Sequence, residues 1–195
     1  VKMSYSIVFS LLAGVKFPTG DTDRLDQEVA QERFFDNFFG TGVHAHNFGG
    51  VHQHDLTLGS GSFDGIFGTV LNLRWKRWFV NQQFQYYLRT EANDYRFGDW
   101  LIVSGGPGAY VLLNENYTLN LQVNALYEAM KQDWVVGKVH DQTGFTAIFL
   151  GPQLVFTLGE HFSAQGGVDI PLRINNYGLQ NVPDYRVHAG FKWRF

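Results

Sequence analysis

Hydrophobic and polar residues alternate with a period of two along most of this chain, the pattern of strands whose two faces meet different surroundings. Across 117–131 the odd positions are Tyr117, Leu119, Leu121, Val123, Ala125, Tyr127 and Ala129. The even ones include Thr118, Asn120, Gln122, Asn124 and Glu128. The C-terminal stretch sets Tyr185, Val187, Ala189, Phe191, Trp193 and Phe195 against Arg186, His188, Lys192 and Arg194. A third clear case is 162–174, and weaker ones fall at about 4–17, 63–75, 77–90, 99–113 and 143–158. The pattern therefore predicts eight strands.

The predicted connections also alternate. Those near Lys76, Glu115 and Glu160 are short, whereas those at about 18–62, 91–98, 132–142 and 175–184 are long. Short turns at one end and long loops at the other match an antiparallel transmembrane β-barrel, and the whole chain, 1–195, reads as one such domain. The long first connection is then an extracellular loop. Aromatic residues at strand ends (Trp75, Trp78, Tyr117, Phe162, Tyr185, Trp193) suit the girdles that such barrels place at headgroup level.

Composition sharpens this picture. The chain has 195 residues with 18 Phe, 9 Tyr, 5 Trp and 22 Gly, yet hydropathy alone would rate it unremarkable, because two opposite faces average out. No stretch approaches the roughly 20 apolar residues of a membrane-crossing helix. A net charge of −3 gives no basic excess for nucleic acid. The absence of cysteine excludes disulfides, thiolate zinc sites and thiol nucleophiles. An N-terminal strand beginning at Val1, with no initiator Met, points to a processed or incomplete chain.

The ending Phe191-Lys192-Trp193-Arg194-Phe195 resembles the insertion signal of bacterial outer-membrane proteins, with Phe195 as its terminal aromatic. That resemblance implies an outer-membrane location, contact with the lipid bilayer and lipopolysaccharide, and engagement by the insertion machinery. A narrower likeness lies in Gly14-Val15-Lys16-Phe17-Pro18-Thr19-Gly20 together with Leu58-Gly59-Ser60-Gly61-Ser62-Phe63-Asp64. These segments resemble the transporter-like family named for a meta-pathway of phenol degradation. Its members carry further strands before the Pro-Thr-Gly segment, so the likeness implies that these strands belong to a larger barrel of about twelve.

Strand polarity assigns depth to the charged residues. Asp64, Arg89, Asp99, Glu128, Arg173 and Arg186 are expected inside the mouth, and Arg74, Arg77, Lys192 and Arg194 inside the lower lumen. The mixed set reads as ion pairs bracing the wall. The basic set reads either as headgroup or solvent contacts or as a constriction favouring anions. Eight strands alone leave an interior filled by side chains, whereas a larger barrel leaves a channel.

In the first loop, Leu25, Val29, Phe35, Phe38 and Phe39 predict a short amphipathic helix ending near Gly40, a lid or a docking surface for a protein partner. Its acidic residues Asp21, Asp23, Asp26, Glu28 and Glu32 offer oxygen ligands for Ca²⁺, without the spacing of an EF-hand. His44, His46, His52 and His54 form two pairs that read as Cu²⁺ or Zn²⁺ ligands or as a solvated cluster at the mouth. No nucleophile motif supports an enzyme. The sequence thus points to a passive, porin-like channel for small solutes, anionic or aromatic. The alternative is a structural barrel that docks an assembly through its Phe-rich loop.

Overall fold

The computed structural model describes residues 5–39, 57–178, 180 and 182–195, with the side chains of Phe35, Phe38 and Phe39 left aside. Its elements in order are β1 (Tyr5–Lys16), α1 (Asp23–Phe39), β2 (Asp64–Trp75), β3 (Trp78–Leu88), β4 (Tyr95–Arg96), β5 (Trp100–Leu113), β6 (Tyr117–Met130), β7 (Trp134–Val135), β8 (Lys138–Val139), β9 (Phe145–Leu158), β10 (Phe162–Asn176) and β11 (Arg186–Trp193). The eight long strands coincide with the eight periodic segments. They form one antiparallel sheet in the order β1-β2-β3-β5-β6-β9-β10-β11, each strand beside its long-strand neighbour in sequence. No helix among the described residues is long and apolar enough to cross a membrane.

The sheet is curled, and its polar face is the concave one. Arg186 on β11 and Glu128 on β6 lie three strand spacings apart, about 14 Å on a flat sheet. Their side chains nevertheless meet, with Arg186 Nη1 donating to Glu128 Oε2 at 2.9 Å. Halfway down, the amides of Asn81 (β3) and Gln122 (β6) exchange hydrogen bonds at 2.9 and 2.6 Å. They do so across β5, whose inward positions there are Gly106 and Gly108.

The outward face is apolar and open. Phe67, Trp75, Trp78, Val80, Leu121, Val123, Leu154, Ile170, Val187 and Trp193 are all exposed, and Phe191 is 82% exposed. The charged residues Asp64, Glu128 and Asp169 are buried on the other side. This arrangement inverts the burial expected of a strand protein folded around an apolar core. Among the described residues β1 and β11 are not paired with each other, so the sheet is an open half-barrel with two edges. A closed barrel was the expectation; the sheet has its strands and its curl.

The three short links lie at one end and the four long ones at the other. The long loops interlock into a cap. Leu25 and Val29, one helical turn apart on α1, pack with Tyr95 of β4 and Val135 of β7 in a small buried core, with Phe97 and Val136 against it. Strands β4, β7 and β8 form a separate three-stranded sheet. The turn between β7 and β8 holds Val136 and Gly137 at positive φ (51° and 73°), as a two-residue hairpin turn demands. Ion pairs Arg33–Asp94 and Lys138–Asp36 tie α1 to the other loops. From the last loop, Gln180 Nε2 donates to the carbonyls of Gln142 and Gly144.

Candidate functional site

At the capped end, charged side chains gather into three clusters. The first centres on Asp64, which is fully buried. Arg89 Nη1 donates to it at 2.8 Å, Ser62 Oγ at 2.8 Å and the Thr90 amide at 3.2 Å, and Lys16 Nζ lies 3.4 Å away. The sequence builds this cluster simply: Asp64 opens β2 directly opposite Lys16, the end of β1. The two glycine-containing segments converge here as well. A Cβ on Gly20 would stand 2.4 Å from the Leu58 carbonyl oxygen, and one on Gly59 would collide with the Gly20 backbone, so only glycine fits at either position.

The third cluster joins β6, β10 and β11. Arg186 bonds Glu128, its other terminal nitrogen is 3.9 Å from Asp169, and its guanidinium lies 3.7 Å from the centre of the Phe149 ring. His188 Nδ1 is 3.6 Å from Asp169. His188 lies against Gly167, where a Cβ would stand 2.6 Å from its Nε2. Asp169 and His188, polar-face residues left out of the expected mouth set, had a legible signal: His188 shares the parity of Arg186 on β11, and Asp169 stands opposite Arg186 on β10.

The second cluster corrects the expectation for Asp99. Trp100, Ile102 and Ser104 occupy the inward positions of β5, in register with Glu128 and its even-numbered neighbours. Asp99, one residue before Trp100, therefore has outward parity and sits on the outer rim. It accepts from Tyr86 Oη at 3.0 Å, the Arg89 amide at 3.0 Å, Lys131 Nζ at 3.0 Å and Arg96 Nη2 at 3.5 Å. Burial opposes ionisation of Asp99, but the Arg89 amide, Lys131 and Tyr86 outweigh it and hold the carboxyl below the usual range. The same hydrogen bond and charge push the Lys131 ammonium upward.

Arg173 also departs from the inward set. The register of β10 against β9 slips between Pro171 and Arg173, which brings Arg173 opposite Ile148 on the outward side. At the turn end, Arg74 stacks on Tyr110 at 4.7 Å within the concave face. Lys192 and Arg194 line a groove with His161, Glu160 and Phe195, while Arg77 lies apart in the turn between β2 and β3. The basic residues are thus split between two places. Phe195 is fully exposed.

His44, His46, His52 and His54 lie outside the described residues. Among the described residues, no group of three or more His, Asp or Glu is placed to hold a metal ion. Two of the residues considered for Ca²⁺ serve elsewhere: Asp26 accepts from Asn93, and Glu28 lies 3.9 Å from His140. The predicted helix is present, over Asp23–Phe39. No family model, curated protein or solved structure matches the chain.

Proposed function

We propose that this chain is the strand wall of a bacterial outer-membrane β-barrel that passes small solutes, with a preference for anions. The observation that carries the reading is the inversion of the two faces: apolar side chains exposed on the convex side, charged and amide side chains sequestered on the concave side. In water, so wide an exposed apolar surface is unfavourable. Against lipid it is the stable arrangement, with the polar face lining an interior. The loop asymmetry and the resemblance to the meta-pathway family, whose two motif segments meet at Gly20 and Gly59, support the same reading.

Closure is required in lipid, because unpaired strand edges do not persist there. Strands β1 and β11 run in opposite directions and can pair with each other or with further strands. The anion preference rests on Lys192 and Arg194, exposed cations at the turn end of the wall. The second reading, a barrel that anchors an assembly, draws support from the interlocked cap.

Reconstitution into planar bilayers tests the channel directly. Stepwise conductance with a reversal potential favouring chloride over potassium is expected. A correctly folded protein that inserts without conducting would remove the channel and leave the anchoring barrel.

A further inference from the structure

The displaced Asp99 cluster marks a feature of the outer surface that a lumen-centred reading passes over. Tyr86, Leu101, Ala129 and Thr146 lie in register across β3, β5, β6 and β9, with outward parity. They line a cavity of about 470 Å³ together with Trp134, Val139 and Tyr177. Its lining is largely apolar; its polar corner is the Asp99–Lys131–Tyr86 cluster.

Charge in that corner is unbalanced toward the positive. Asp99 is one carboxylate, 5% exposed, facing two cations: Arg96 at 3.5 Å and Lys131 at 3.0 Å. Lys131 presents 70% of its side chain to the surroundings while Asp99 holds its ammonium from one side. Trp134 and Tyr177 beside it are exposed aromatics of the type that settles at a membrane interface. A largely apolar cavity on the wall that shares its lining with the Lys131 ammonium and with Trp134 and Tyr177 fits an amphiphile with an anionic head.

We propose that this groove binds a net-anionic phospholipid of the surrounding bilayer, in preference to a zwitterionic one, its acyl chain along Leu101 and Ala129 and its phosphate on Lys131. The inference rests on the reading that the apolar face meets lipid, and adds to it a specific partner and a specific residue. Lys131 acts as the donor to phosphate. Tyr86 holds Asp99, which in turn aims Lys131.

Titration of the delipidated protein in micelles, with bound lipids counted by native mass spectrometry, tests it. The probes are phosphatidylglycerol and phosphatidylcholine of identical acyl chains. The expected result is phosphatidylglycerol bound about fivefold more tightly, the ratio that one interfacial cation confers. Lys131→Gln should bring that ratio to one, and Lys131→Arg should restore it; strand content by circular dichroism confirms that both variants fold. Equal binding of the two lipids by the unaltered protein overturns the proposal, as does a preference that survives Lys131→Gln. Inorganic phosphate displacing phosphatidylglycerol at matching concentration also overturns it, by showing an anion site without a lipid one. Uptake of neither lipid also overturns the proposal but leaves the membrane reading standing, because detergent covers the apolar face in micelles and that reading falls only if the folded protein fails to insert into bilayers.

Discussion

The two ends of the sheet carry similar charged residues in opposite states. At the capped end, Lys16, Arg89, Arg96, Lys131 and Arg186 each lie against a carboxylate, and those carboxylates are buried. At the turn end, Arg77, Lys192 and Arg194 are exposed, and no ion pair among the described residues involves them. The difference follows from connection length. Long loops shield a carboxylate from solvent and bring a second cation to it, whereas a two- or three-residue turn leaves its side chains in the open. The capped end is thus where charge contributes to structure, and the turn end is where charge remains available to a passing ion.

The sharpest way to break this contrast is Asp64→Asn. It leaves Arg89 and Lys16 facing a neutral amide in a buried site, and a loss of about 3–5 kcal/mol is expected. Denaturant unfolding in detergent, followed by circular dichroism, reads the loss; a change under about 1 kcal/mol would show that the burial carries no such consequence. Arg186→Met comes next. Its side chain is one-third exposed, so solvent screening limits the expected loss to about 1–2 kcal/mol by the same measurement.

Acid separates the ends without mutation. The Asp99 carboxyl is held below its ordinary range, so its contribution is complete above roughly pH 4 and fades as pH falls through the lowered value. Amide protection factors, taken relative to the intrinsic exchange rate at each pH, should therefore fall in the cap around β4 and β7 in acid while those of the turns at Lys76 and Glu115 remain unchanged. Lys131 titrates upward from its ordinary value, so its share is lost only in strong alkali. The smallest stability effect belongs to the turn end. Replacing Lys192 and Arg194 together with Gln should shift unfolding by no more than about 0.5 kcal/mol. The same pair should lower the chloride-to-potassium preference in bilayers, and an unchanged reversal potential would detach these residues from selectivity.

What the sequence revealed and what it concealed divide along physical lines. Strands such as β6, whose every second residue contrasts with its neighbours, were legible because alternation is a property of one segment alone. So was α1, from the spacing of Leu25 and Val29. Strands β4, β7 and β8 escaped notice because two residues are too few for any period; they exist only because α1 and the other loops cover them. Asp99 was placed on the wrong face for a related reason. Its parity belongs to β5, whose Gly-Gly-Pro-Gly middle blurs the alternation, and only the pairing with Glu128 and its even-numbered neighbours on β6 fixes which side is inward. The Arg186–Glu128 cluster depends on the curl of the sheet, which brings β11 within reach of β6.

The irregularity beside Leu172 has a further consequence for how this chain can change. In a strand, an added residue works like a transposition: side chains before it keep their faces, and every one beyond it trades places. Uninterrupted pairing would set Arg173 opposite Ala147, next to Glu128, adding a cation to the interior. The bulge instead carries Arg173 to the exterior and turns Ile174 inward. Length, at a single position, therefore edits the chemistry of a wall whose letters are otherwise untouched.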